Sequence, residues 1–309
     1  MPLRHGRLCR EGDASAFPMP FISALFVYPV KSCAAIALDD ALIEQDGLQW
    51  DRRWMVVDAN GQFVTQREYP SMARIATALG ADALHLSVDG AATELSVPFA
   101  PPANAGRVPV TVWRDSFDAI DEGDTAARWF SDVIGAPLRL VRFPDDVTRL
   151  ANRKWTKDID APTRFADGYP LLVTTEASLA ELNGRLDAKG VPPLPMNRFR
   201  PNVVLGGTEA FDEDFAGALS IGPAGADHRV VLRPVKPCAR CPITTVDQST
   251  GTIDPRWPHE PLDTLAGYRA NPRVDGGLTF GQNAIVVEGV GRRLRVGDAV
   301  DLELEFDGE

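Results

Sequence analysis

Two thiols three positions apart, Cys238 and Cys241, stand in the run Val235-Lys236-Pro237-Cys238-Ala239-Arg240-Cys241-Pro242. Several chemistries use this spacing. A redox dithiol sits at a helix N-terminus, where the dipole lowers the thiol pKa. Here Pro242 and the β-branched run Ile243-Thr244-Thr245-Val246 follow, which predicts a strand and disfavours that use. A structural zinc site needs four ligands. Only Cys9 and Cys33 remain among the cysteines, far upstream and not spaced as a pair, and His5, His85, His228 and His259 are scattered. Two small, inert, buried thiols are the plain alternative. The remaining use is one thiolate ligand to a soft metal whose other sulfurs come from an organic cofactor. Lys236 and Arg240 bracket the thiol with positive charge, which favours the thiolate.

These residues must be positioned by a predominantly β chain. Ile22 to Val30 reads as a strand interrupted by Pro29. Asn60-Gly61 supplies positive φ between Trp54–Asp58 and Gln62–Thr65, a hairpin signal. Asp89-Gly90 does the same between His85–Val88 and Thr93–Val97. Further strands are expected at Val108–Arg114, Leu138–Phe143, Asn202–Leu205, Arg229–Val235, Ile243–Val246, Ala284–Glu288 and Val300–Phe306. Helices are expected at Asp124–Ile134 before Gly135, and at Thr175–Lys189. In the latter, Leu179, Leu182 and Leu186 share a face and Gly190 supplies the stop. Pro261–Tyr268 suits a short helix, and the polar stretch Asn152–Asp160 suits a crossing between domains. Many short strands with few helices, and no βαβ alternation, predict barrel-like rather than doubly wound architecture.

Bulk properties narrow the function. The 309 residues, 44% hydrophobic and 24% charged, suffice for one large or two modest domains with a proper core. A net charge of −11 argues against nucleic acid as a polymeric partner, since phosphate binding wants a basic face. No apolar run approaches the ~18 residues of a membrane span. Residues 1–20 hold Arg4, Arg7 and Arg10 without a hydrophobic stretch, so they are expected to be a disordered extension rather than a secretory signal. Four cysteines without such a signal predict reduced thiols in the cytoplasm.

The ordered motifs carry a resemblance. Tyr28-Pro29-Val30-Lys31-Ser32-Cys33, Asp51-Arg52-Arg53-Trp54-Met55-Val56-Val57, Asn197-Arg198-Phe199-Arg200-Pro201-Asn202, Cys238 to Asp247 and Phe280-Gly281-Gln282-Asn283 follow one another from near Ile22 almost to the C-terminus. Together they resemble the MOSC-domain proteins, in particular the amidoxime-reducing, molybdenum-cofactor-binding group. The resemblance implies a mixed α/β, predominantly β fold. An N-terminal β-barrel-like domain, 21–145, would be followed by a MOSC β-barrel domain with a few helices, 146–309. It implies that Cys241 is both the catalytic centre and the protein ligand to molybdenum in a pterin cofactor. Lys31, Ser32 and Arg52 would hold the pterin and its phosphate, and Arg200 and Asn202 would add a second set of contacts. Ala239 and Arg240 would present backbone or guanidinium to the cofactor, and Asn283 would complete the site where relatives often carry a tyrosine. Asp167-Gly168-Tyr169 lies where a cofactor loop is expected, Cys238 is read as a spectator, and Cys33 as packing. A phosphate-bearing cofactor wants a basic lining, with Arg as a bidentate fork and Lys as a point charge.

The implied activity is reduction of N-hydroxylated compounds such as amidoximes, hydroxylamines and N-hydroxylated bases. An iron–sulfur relay takes four cysteines, and Cys241 leaves three, none in cluster spacing. No GxGxxG fingerprint follows a strand, so no flavin or NAD site is expected either. Electrons would come from a separate ferredoxin- or flavoprotein-type reductase. The rival reading is a non-catalytic carrier of sulfur or of the molybdenum cofactor that uses the same Cys241.

Overall fold

Ile22, Leu25 and Val27 are buried along the first strand, Phe21–Val27, a spacing that straight pleating could not put on one face. A bulge between Ile22 and Ala24 shifts the register and turns all three toward the core. The computed structural model describes residues 19–90, 94–222 and 229–305, so the expected extension falls almost wholly outside the described residues. Within them, twenty-one strands against four α-helices confirm a predominantly β chain.

The largest sheet runs, in order, Ile36–Leu38, Phe21–Val27, Val203–Gly206, Leu171–Thr175, Gly277–Glu288, Val230–Ala239, Ala216–Ile221 and Val300–Leu304, with Ala270–Asn271 paired off this path. The second and third of these are antiparallel partners, so residue 145 does not divide the sheets: the first strand belongs to the C-terminal one. Its core gathers Leu25, Val173, Val203, Leu219, Leu232 and Ala284. A second sheet places Trp54–Val57 beside Arg139–Arg142, then Asp115–Asp121 and Arg107–Val112. A meander of Ala76–Leu79, Ala83–Ser87 and Leu95–Pro98 packs with helix Asp124–Ile134 around Trp54, Leu84 and Phe130.

The glycine signals act as expected. Gly61 takes φ 75°, and Asp58 Oδ1 accepts from the Asn60 and Gln62 amides at 2.8 and 2.9 Å. The following arm, 62–65, joins its partner through the Val64 amide and Val56 carbonyl, then leaves the sheet. Gly135 closes its helix at φ 82°, and Thr175 caps Glu176–Asp187 by accepting from the Ser178 amide at 3.0 Å. Two expectations need correction. Ile243–Val246 is not a strand: Pro242–Thr245 forms a 3-10 turn capped by Cys241, because Pro242 presets helical φ at its first position. Val108–Arg114 ends at Val112, where Trp113 turns the chain at φ 58° into Asp115–Asp121. The stretch expected to cross between domains, Asn152–Asp160, also holds the helix Arg153–Thr156, capped by the Asn152 side chain. Thr93 and Phe306, at the ends of two expected strands, lie outside the described residues.

Candidate functional site

The segment that follows the first strand, the start of Leu171–Thr175 and the end of Val230–Ala239 line one cleft of about 660 Å³. Lys31, Ser32, Arg52, Arg200, Asn202, Ala239, Arg240, Cys241 and Asn283 all line it. Residues 210 positions apart therefore line the same cleft, and the pairing of the first strand with Val203–Gly206 helps to bring them there. Four of the eight non-glycine residues at positive φ among the described residues also line it: Ser32 (69°), Arg52 (46°), Trp113 (58°) and Arg200 (56°). Such backbone costs about 1–3 kcal/mol each and persists only where the surroundings hold it.

The basic lining is built in two ways. Lys31 is buried, and its ammonium donates to Asp167 Oδ1 at 2.6 Å and to the Phe165 carbonyl at 2.8 Å. Burial pulls its pKa down, and the Asp167 charge opposes this. Burial would raise the Asp167 carboxyl, but the Lys31 ammonium and the Trp113 indole, donating at 3.2 Å, hold it well below the usual carboxylate range. The second element is a pair of guanidiniums on one ring. Arg52 and Arg200 lie 4.3 and 4.2 Å from the Tyr28 ring centroid. Arg52 donates to Asp51 Oδ2 at 2.5 Å and to Asn202 Oδ1 at 3.1 Å, whereas among the described residues the Arg200 guanidinium donates to the neutral Gln248 Oε1 at 3.2 Å and to no carboxylate. Burial, with the Arg52 charge adding to it, brings Arg200 down to about 10 despite the Tyr28 and Asp51 charges. A desolvated guanidinium without a carboxylate partner is suited to an incoming anion.

Several expected contacts are already committed within the chain. The Asn202 amide accepts from the Leu172 amide at 3.1 Å and donates to the Phe26 carbonyl at 3.2 Å, so it braces strands rather than offering a free group. Arg240 sends its guanidinium to the Phe199 carbonyl at 2.5 Å and to Cys238 Sγ at 2.9 Å, while its backbone amide donates to the Leu278 carbonyl. Its charge thus reaches the neighbouring thiol, and Lys236 lies over the Trp155 and Tyr169 rings, so the expected bracket does not close on Cys241. Ala239 ends its strand opposite Thr279, and Asn283 Nδ2 donates to the Lys236 carbonyl at 3.2 Å. Cys33 is fully buried and pushed up to about 12 by desolvation, in keeping with packing. Cys241 and Cys238 are free thiols, half-buried at the cleft wall. Among the described residues no three Cys, His, Asp or Glu cluster as metal ligands, so the wall offers thiol sulfur rather than a complete protein ligand set.

Sequence reasoning missed four supporting residues. Arg149 donates to the carbonyls of Arg164, Ala166 and Asp167 and so shapes the loop that presents Asp167. Gln66 and Gln248 exchange amide hydrogen bonds at 2.9 and 3.1 Å beneath Ser32 and Arg200. Trp113 stands half-exposed at the cleft mouth. Isolated polar or aromatic residues in loops carry no periodic signal. The positive φ of Trp113 in particular goes against expectation for a bulky residue.

Comparison with known proteins follows the same outline. Residues 19–137 match the MOSC N-terminal beta barrel domain, and residues 160–301 match the MOSC domain. Mitochondrial amidoxime reducing component 2 of Bos taurus is 33% identical, over 80% of this chain and 72% of that protein. Mitochondrial amidoxime-reducing component 1 of Mus musculus is 32% identical, over 97% of this chain and 85% of that protein. The chain belongs to the MOSC-domain family, in the group of the amidoxime-reducing components. Molybdenum cofactor sulfurase of Arabidopsis thaliana is also similar, at 30% identity over 86% of this chain but only 33% of that protein. Among the described residues, no helix of this MOSC protein is long and apolar enough to cross a membrane.

Proposed function

We propose that this protein is a molybdenum-cofactor-dependent oxidoreductase that reduces N-hydroxylated compounds, amidoximes and hydroxylamines among them. One observation carries the reading: a free thiol, Cys241, shares a cleft with the buried cation Lys31 and with the half-buried Arg52 and Arg200. The donor set fits the pterin cofactor. A dithiolene brings its own sulfurs, so one protein thiolate suffices, and Arg200 lacks a carboxylate partner that a phosphate would replace. Cys241 is then the metal ligand, Lys31, Arg52 and Arg200 hold the phosphate, and Ser32 presents backbone at its strained φ. When bound, the molybdenum centre would supply the two electrons that cleave the N–O bond. The chain's own part is to bind, to orient and to hold charge. Asp167 keeps the Lys31 proton in place, and the Tyr28 ring with Asp51 sets the spacing of the two arginines. Electrons come from a separate ferredoxin- or flavoprotein-type partner, consistent with relatives that are named as components. We place the reaction in the cytoplasm, which fractionation checks, although those two relatives are named mitochondrial.

The sulfurase relative favours a second reading, a carrier that uses the same thiol without turnover. Protein made with an intact molybdenum pathway should contain metal and pterin, and Cys241→Ala should lose the metal while keeping its Tm. Metal-free wild type would sink the enzyme reading, and metal retained in the variant would sink the ligand assignment. With reduced viologen as donor, turnover of benzamidoxime separates enzyme from carrier.

A further inference from the structure

Beside Lys236, at the rim of the cleft, three cations converge on one ring. Lys154 Nζ, Lys236 Nζ and Arg273 Cζ lie 5.3, 5.7 and 5.5 Å from the Trp155 centroid. They come from three elements that pack together: helix Arg153–Thr156, strand Val230–Ala239 and the turn Pro272–Val274. Trp155 itself is anchored against Ala151, Ala161, Tyr169 and Ile285. Among the described residues none of the three cations forms an ion pair, in a chain that carries eleven more negative than positive charges. Each lies closer to that ring than the Debye length of about 10 Å at 0.1 M salt, so their charges are only partly screened from one another. The ring faces offset only part of this. A second observation points to the same place. Tyr169 is 8% exposed, lines the cleft and carries Lys236 at 5.7 Å from its ring, and its hydroxyl has no hydrogen-bond partner among the described residues.

We propose that this rim is an anion subsite that takes a carboxylate or phosphate borne by the substrate, with Trp155 as the adjoining apolar wall. It rests on the reductase reading and narrows it to anionic N-hydroxylated substrates. The convergence of all three cations on a single ring fits a compact anionic group. A protein partner would call for charge spread over a broad face. Lys236, which lines the cleft, would touch the anion, and Lys154 and Arg273, both exposed, would close around it.

The test uses cofactor-loaded protein and a matched pair of ligands, 4-carboxybenzamidoxime and its neutral methyl ester. Without an electron donor, calorimetric titration should show tighter binding of the acid. The double variant Lys154→Glu with Arg273→Glu should weaken the acid about tenfold and leave the ester unchanged. Under reduced viologen, the acid-to-ester ratio of kcat/KM should fall by the same factor. Equal loss for both ligands, or no loss for either, overturns the subsite. So does a variant that keeps the ratio but slows reduction by an acidic protein donor only, which would make the cations a docking face. Selective binding of the acid without turnover keeps the subsite and defeats the reductase reading.

Discussion

Lys31 and Asp167 show how a single contact sets the charge of the cleft floor. The ammonium is buried, which favours its neutral form, and the carboxylate restores the charged one. Replacing Asp167 with Asn removes that support while keeping the shape. The Lys31 pKa should then fall further, so its positive charge is present at low pH and lost as pH rises through the new, lower value. Retention of an anionic cofactor should follow the charge. In Asp167→Asn, pterin content measured after dialysis at increasing pH should drop at a lower pH than in wild type, and identical curves would refute the coupling.

At the level of the elements, Gly281 explains why a glycine stands within strand Gly277–Glu288. It takes φ 74°, and a Cβ there would lie 2.6 Å from Thr174 Cγ2 and 2.7 Å from the Val173 carbonyl. Gly281→Ala should cost about 2 kcal/mol in urea unfolding and loosen Asn283 at the cleft. Helix Glu176–Asp187 holds a different liability. Glu213 is buried against the Thr175 and Ser178 hydroxyls at the start of that helix, with its Oε1 unpartnered. Burial, and then the Asp214 charge, push it up to about 7. Folded protein therefore binds this proton more tightly than unfolded chain, whose value is about 4.3. Stability from this group is intact below the unfolded value and falls as pH rises toward 7. Glu213→Gln should raise Tm above pH 7, and the gap should close below pH 5.

Across the whole molecule, the two sequence halves meet through side chains of opposite origin. Gln66, fully buried, and Gln248 form a reciprocal amide pair that also contacts the Ser32 carbonyl and the Arg200 guanidinium. Each Gln→Ala change should cost about 1–2 kcal/mol, from hydrogen bonds lost in a dry setting. The double variant should cost less than the sum, by a coupling of about 1 kcal/mol in a thermal or urea double-mutant cycle. Full additivity would mean that the two amides act separately.

Local chemistry was legible from the chain alone. The Asn60-Gly61 turn and the Gly135 helix stop depend on neighbours a few residues away, and they stand where the sequence puts them. The family motifs named the residues that line the cleft, because a motif records residue types that a shared site requires. What the sequence could not carry was direction. Whether Arg240 points at Cys241 or at Cys238 depends on where Phe199 places its carbonyl, 41 residues away. That Asn202 braces strands, and that Trp113 turns into the cleft mouth, depend on long-range pairing and backbone strain. The run Ile243-Thr244-Thr245-Val246 has strand propensity, yet Pro242 and the packing of Thr244 and Thr245 make it a turn. Propensity is a local preference of about 1 kcal/mol, and burial in a packed interior outweighs it. The sequence by itself determined that one cysteine motif and a set of cations belong together. Only the tertiary structure decided which of those charges face the cleft and which are already spent, because a side chain's partners are chosen by the fold around it.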